Sequence, residues 1–303
     1  MTLLFEQLLN GLQLGVMLFL LASGLTLIFG IMGVLNLAHG SLYMIGAYAT
    51  AFAVAQTGSF WLAIPFGLAA AAAAGLAIEY IIIRKLYARD HLDQVLATFG
   101  LILFLNQAMA LLFGRQPVFT PIPPALSGSI NLLGVPYPVY RLAIIAVGLT
   151  VALGLYLLIA RTRLGMLIRA GATHREVVGA LGVDIGLLYT IIFGLGALLA
   201  GLAGLMAGPL LAVQVGMGEQ ILILTFVVVV IGGVGSVRGA FFSAMLVGIT
   251  DTAVRAFAPG LLRAVMPPSQ ADALGAGLSS MSIYVLMAAV LLIRPKGLFA
   301  AHD

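Results

Sequence analysis

The amino-acid sequence predicts an all-α polytopic integral membrane protein, with about eight to ten transmembrane helices and glycine-broken segments among them. Three observations predict it. Hydrophobic residues make up 62% of the 303 and charged residues only 8%, about a third of the charged share of a soluble domain. Nine apolar stretches come near or exceed the roughly 20 residues that cross a hydrocarbon core: 8–29, 31–56, 61–83, 93–113, 140–160, 185–212, 219–235, 239–257 and 277–293. The charge that remains gathers in the gaps between them. A membrane β-barrel would alternate polar and apolar residues over about ten positions, whereas Ile221–Ile231 is nearly all apolar.

Taken in order, the first stretch starts within a few residues of Met1, lacks a basic leader and runs long. It is expected to stay as a membrane helix and not to be cleaved as a signal peptide. The second opens on Gly33-Val-Leu-Asn-Leu-Ala-His39-Gly40, which Gly233-Val-Gly-Ser-Val-Arg238-Gly239 echoes later, one residue shorter. Paired glycine-interrupted segments point to broken helices along a translocation path; two tight turns are the plainer alternative. Between the fourth and fifth stretches, 114–140 carries six prolines and is expected to be a stiff, non-helical loop, either a connector or a docking surface. In 185–212, Gly196, Ala200, Gly204 and Gly208 recur every four residues and read as a helix-packing seam, as does Ala69–Gly75. Nine spans with the N-terminus outside place ten of the fourteen Lys and Arg in 84–92, 161–184, 236–238 and 294–303. The positive-inside rule then puts the C-terminus in the cytoplasm. The net charge of +4 follows the membrane and is no nucleic-acid footprint.

Catalytic signals are absent. Without cysteine there is no disulfide, thiol nucleophile or thiolate metal site. No His/Glu cluster has metal-ligand spacing and no Gly-x-Ser-x-Gly elbow is present. The only lysines, Lys85 and Lys296, follow no phosphate-cradling loop, so this chain binds no ATP in that manner. No cofactor is expected on it. His39 lies in an apolar neighbourhood, where a hydrogen bond that fixes the broken segment is favoured over contact with cargo. Asp251 and Arg255, four apart, are expected to pair. Glu79, beside Arg84 and Lys85, is expected at the interface, and Glu219 at a helix N-terminus.

The gap 161–184 is the most telling. Thr173-His-Arg175-Glu176 reads as a capping box and Gly182 as a helix stop. Between them is expected a helix of about two turns, with Val177, Val178 and Leu181 apolar. Such a helix cannot bury that surface in its own short loop. It needs a membrane surface or a partner protein.

Four stretches also resemble a known family. Gly33-Val-Leu-Asn-Leu-Ala-His-Gly-Ser-Leu-Tyr-Met-Ile-Gly-Ala-Tyr48 looks like the signature of the H-type permease of branched-chain amino acid ABC importers. Arg161-Thr-Arg-Leu-Gly165, Val228-Val-Val-Ile-Gly-Gly-Val-Gly-Ser-Val-Arg-Gly239 and Leu292-Ile-Arg-Pro-Lys-Gly-Leu298 match in order. The resemblance runs nearly end to end and implies the ABC importer permease fold: a single transmembrane permease domain over 1–303 in the bacterial inner membrane. It implies as partners a second, M-type permease, two cytoplasmic ATP-binding subunits that use the ATP, and a periplasmic substrate-binding protein. It further implies that a short helix in the 161–184 loop docks on an ATPase. Glu176 and Gly182 keep the spacing of the Glu-Ala-Ala-x-x-x-Gly element of such permeases, though the two alanines are lacking.

Gly33, Asn36, His39, Gly40, Gly232, Gly233, Gly235 and Ser236 are therefore the expected pathway residues. Thr173, Arg175, Glu176, Val177, Val178, Leu181 and Gly182 are the expected ATPase-coupling residues. The expected function is alternating-access import of a small polar solute, branched-chain or related amino acids foremost. The alternative, an ion-coupled carrier or channel, would want paired carboxylates at membrane depth, and these are largely missing. Similar permeases of the family serve other amino acids, amides, urea and aromatic acids, and no charged cluster here singles out a cargo.

Overall fold

The structure is a computed structural model that describes residues 2–299, with Thr173–Glu176 described as backbone only. The helices are α1 Thr2–Met32, α2 His39–Thr57, α3 Phe60–Ile81, α4 His91–Phe113, α5 Val139–Arg161, α6 Arg163–Ala180, α7 Ile185–Ala207, α8 Met217–Gly232, α9 Val237–Leu262 and α10 Pro268–Ile293. Each predicted apolar stretch carries one of these, and α6 is the addition. Seven are long and apolar enough to cross a membrane. The other two in predicted stretches are α8, with 16 residues, and α2, which opens on His-Gly-Ser and closes on Gln-Thr.

The chain forms two compact units. The first comprises Leu20–Pro123 and Thr150–Leu224. Its centre is the mutual packing of α2, α3 and α7. The packing is close because small residues face each other. A Cβ on Gly46 would lie 2.6 Å from the Gly201 carbonyl oxygen, and one on Gly24 would lie 2.8 Å from that of Gly196. Ala200 and Ala71 are fully buried in the same seam. In lipid, where apolar side chains gain nothing by leaving their solvent, such backbone proximity is what holds helices together. The small-residue stripe read from the sequence is therefore a packing seam. Gly208 alone lies off it, beside Thr120.

The second unit comprises Met1–Phe19, Pro124–Leu149 and Thr225 onward. In it α9 packs on α10, with Gly275 against Pro259, and on the start of α1, with Gly11 against Ile249. The Pro-rich loop holds more than the expected stiff connector. Residues β1 Ser129–Leu132 and β2 Val135–Pro138 pair antiparallel. The hairpin is pinned to α1 by Asn10, whose Oδ1 accepts from Tyr137 Oη at 3.2 Å and Arg141 Nη1 at 2.6 Å. Burial pushes the Tyr137 phenol above its ordinary range, against the pull of Arg141. As predicted, Asp251 pairs with Arg255, at 3.0 Å.

Candidate functional site: a re-entrant segment between α1 and α2

Gly33 stops α1. Its φ of +65° is reached by glycine at no steric cost, and residues 33–38 leave the helix. They run back along α1, because His39 Nε2 lies 3.2 Å from the Leu21 carbonyl oxygen. Leu21 is eleven residues before the end of α1, about 16 Å along the axis. The helix α2 therefore begins at membrane depth, and its approach leaves backbone donors without helical partners.

Unpaired amides in hydrocarbon cost several kcal/mol each, and α4 removes that cost. Gln94 Oε1 accepts from Leu35 N at 3.1 Å and Thr98 Oγ1 from Leu37 N at 3.3 Å. The register is geometric: one helical turn rises about 5–6 Å, close to the step of two residues of open chain. Asn36 Oδ1 accepts from Ala38 N at 3.1 Å and stands in for a cap at the start of α2. Since the Leu21 carbonyl can only accept, His39 Nε2 carries the hydrogen and Nδ1 is an acceptor. Asn36 and His39 are fully buried, yet Asn36 Nδ2 and His39 Nδ1 meet no protein partner. His39 is thus bonded through Nε2 to the backbone of α1.

The start of α2 meets the start of α8, where Gly40 and Gly218 pack backbone to backbone. Two positive helix ends in one place call for negative charge. Glu219 in the first turn of α8 supplies it, and its carboxylate accepts from Asn106 of α4. Sequence reading placed Glu219 correctly at the helix start and missed Asn106, 113 residues away.

The second glycine break, 233–236, is built differently. Gly233 and Gly235 have φ of +96° and +83°, and Ser236 caps α9 by accepting from Gly239 N at 3.1 Å. The last carbonyls of α8 accept from the C-terminal segment: Leu298 N to Ile231 O at 2.8 Å and Phe299 N to Gly232 O at 3.1 Å. Gly232 and Gly233 are buried, and Phe299 stacks on Phe242. The two echoing motifs thus both break helices, one held by α4 side chains and one by backbone from the chain's end.

The gap 161–184 departs from expectation. Helix α6 begins at Arg163, capped by Thr162 Oγ1 on Gly165 N at 3.1 Å, and its backbone is helical through Thr173. Nothing in Arg163–Ala172 breaks a helix, so Thr173 is an interior residue and no two-turn helix starts there. The side chains of Thr173, Arg175 and Glu176 lie outside the described residues. The predicted stop holds: Gly182 has φ +88° and Leu181 N bonds to Val177 O. Val178 is buried, whereas Val177 and Leu181 are 58% and 78% exposed, one turn apart on one face.

Glu79 sits beside Arg84, as the sequence places it, and is fully buried within the protein. Its carboxylate accepts from Tyr87 Oη at 2.5 Å, from Thr190 Oγ1 at 3.0 Å and from Arg84 at 3.3 Å. Burial, and then the bond to Glu79, push the Tyr87 phenol above its ordinary range, and the same carboxylate raises Arg84. Thr190 lies 111 residues further along the chain, so the neighbouring Arg84 pointed to only part of the ring.

The family model of the branched-chain amino acid transport system permease component matches residues 7–293. The high-affinity branched-chain amino acid transport system permease protein BraD of Pseudomonas aeruginosa is 31% identical, over 98% of this chain and 96% of its own. The LivH permease of Escherichia coli K12 is 28% identical over 83% and 86%. A probable LivH of Methanocaldococcus jannaschii is 26% identical over 93% and 88%. With the family signature running through the re-entrant segment and on to the last helix, the chain belongs to the branched-chain amino acid transport system permease family.

Proposed function

We propose that this chain is the membrane permease subunit of an ATP-driven importer that carries branched-chain or related amino acids across the inner membrane by alternating access. It works with an M-type permease, two ATP-binding subunits and a periplasmic binding protein. The names of the relatives, at near full length, support the cargo class. The basic residues of 84–92, 161–184 and 294–303 support an N-terminus outside and a C-terminus inside.

The observation that carries the reading is the end of α6. There a membrane chain without a nucleotide motif presents Val177 and Leu181 as an exposed apolar pair outside its membrane-spanning helices. An exposed apolar face next to basic residues is a natural anchor for a soluble motor. Around the re-entrant segment, Gly33, Asn36, His39 and Gly40 line or gate the pathway. Gly232, Gly233, Gly235 and Ser236 hold the start of α9 against the C-terminal segment.

The test is Val177→Asp and Leu181→Asp in the assembled transporter. Each loss of an interface anchor should cost about 2 kcal/mol of ATPase association, roughly thirtyfold, with insertion and folding unchanged. Co-purification of the ATPases and ATP-driven uptake should fall together. Normal co-purification and uptake by both variants would overturn the reading.

A further inference from the structure

We infer that Thr190, Glu79 and Gln94 are positioning residues for transport, which carry displacement of α6 and α7 to the re-entrant segment 33–38. The inference rests on the reading of α6 as the docking element.

The segment is tied to the start of α7, the helix that follows α6, at two places, just before Gly33 and at Leu35. The shorter tie runs through Ile31. Gly171 of α6 lies near Leu188 of α7 and Ile31 of α1, with room between them for an ordinary Cβ contact at 3.4 Å and 3.9 Å. Tyr189 Oη also approaches the Ile31 carbonyl oxygen, at 3.5 Å. Ile31 lies two residues before Gly33.

The longer tie is a chain of hydrogen bonds. Thr190 Oγ1 donates to Glu79 Oε2 at 3.0 Å and accepts from Arg84 Nη2 at 2.9 Å. Glu79 accepts from Arg84 and from Tyr87, both in the loop 82–90. Tyr87 further packs edge-on against Tyr189, ring centroids 5.1 Å apart. The loop's carbonyls then meet Gln94, whose Nε2 donates to Leu86 O at 3.2 Å and Arg89 O at 3.1 Å. Gln94 Oε1 accepts from Leu35 N, inside the segment. Gln94 is 2% exposed and Glu79 0%, so neither can exchange these partners for water without opening the fold.

Spatial continuity alone does not make a route; an element with two positions is needed. Thr190 provides one. Its single hydroxyl hydrogen has two acceptors at 3.0 Å, the Gly186 carbonyl of its own helix and Glu79 Oε2. A small shift of α7 relative to α3 favours one or the other, and the loop and Gln94 must follow. Gln94 uses both amide hydrogens on the loop and shares its oxygen between Leu35 N and His91 Nδ1, 3.3 Å away, so a shift of the loop is felt at Leu35.

Hydrogen exchange in the complete transporter, with and without a non-hydrolysable ATP analogue, tests this without knowledge of the cargo. In the wild type, nucleotide should change exchange in α6 and, by about tenfold, in peptides covering 33–38. Thr190→Val should keep the response in α6, keep basal exchange of 33–38 and abolish its response, whereas Thr190→Ser should restore it. Gln94→Met should raise basal exchange at 33–38 and also lose the response, a second variant should Thr190→Val assemble poorly. A response in α6 with none in 33–38 of the wild type, or a full response in Thr190→Val, overturns the relay alone. No response in α6 of the wild type overturns the docking reading beneath it.

Discussion

Gly33 and Gly40 are close in sequence and are glycines for opposite reasons. A Cβ on Gly33 would meet nothing within 4 Å, but its φ is +65°; one on Gly40 would run into the Gly218 backbone. The first demand is conformational and the second is spatial. Gly33→Ala should therefore destabilise by about 1 kcal/mol, and Gly33→Asn by less, since asparagine tolerates that backbone region. Thermal unfolding of the detergent-solubilised chain measures both, and equal losses in the two variants would contradict the assignment. The sequence made the break at Gly33 visible, because a glycine before Asn36 and His39 interrupts an apolar run. It could not show that Gln94 and Thr98, about sixty residues away, complete it. Nor could it reveal that Glu79 is buried. A local rule pairs a carboxylate with its nearest arginine, while Tyr87 and Thr190 are brought in by the fold.

At the scale of elements, every long apolar stretch became a helix, because length and hydropathy suffice in a solvent that forbids unpaired backbone. What failed were short elements governed by a few bonds. Helix α6 starts eleven residues before the site the capping box marks, since Thr162 is as good a cap as Thr173 and the sequence alone does not decide between them. The hairpin of β1 and β2 was hidden because β2 contains Pro136 and Pro138, which are tolerated only where a strand has a free edge. Its turn is Leu133-Gly134, with φ of +51° and +87°, the two-residue geometry that favours Asn-Gly. Leu133 is 85% exposed and gains no packing in return for that backbone. Leu133→Asn should stabilise the chain by about 0.5–1 kcal/mol, read as a higher unfolding midpoint. An unchanged or lower midpoint in the isolated chain would show that Leu133 has contacts that offset its strain.

The whole molecule raises the question of where the energy for transport enters. Concentrating a solute a hundredfold requires about 2.8 kcal/mol per molecule, and a carrier that draws this from an ion gradient needs a titratable or ion-binding group free to change partners at membrane depth. The buried carboxylates among the described residues are Glu79 and Asp251, and each is held by an arginine, Arg84 and Arg255 respectively. Glu219, half-buried at the start of α8, is held by Asn106. Removing Glu79 from its ring would leave Arg84, Tyr87 and Thr190 without their common acceptor, so it is not free to change partners. The exposed helix α10 offers no substitute: it is largely apolar, and its one carboxylate, Asp272, pairs with Arg263. The purified chain in sealed vesicles should therefore fail to accumulate leucine under a proton or sodium gradient of either sign. Adding the second permease, the ATPases, the binding protein and internal ATP should start accumulation that gradients do not alter and vanadate stops. Uphill leucine uptake by the chain alone would place the driving force inside this polypeptide, and the buried ion pairs would then have to be read as its coupling groups.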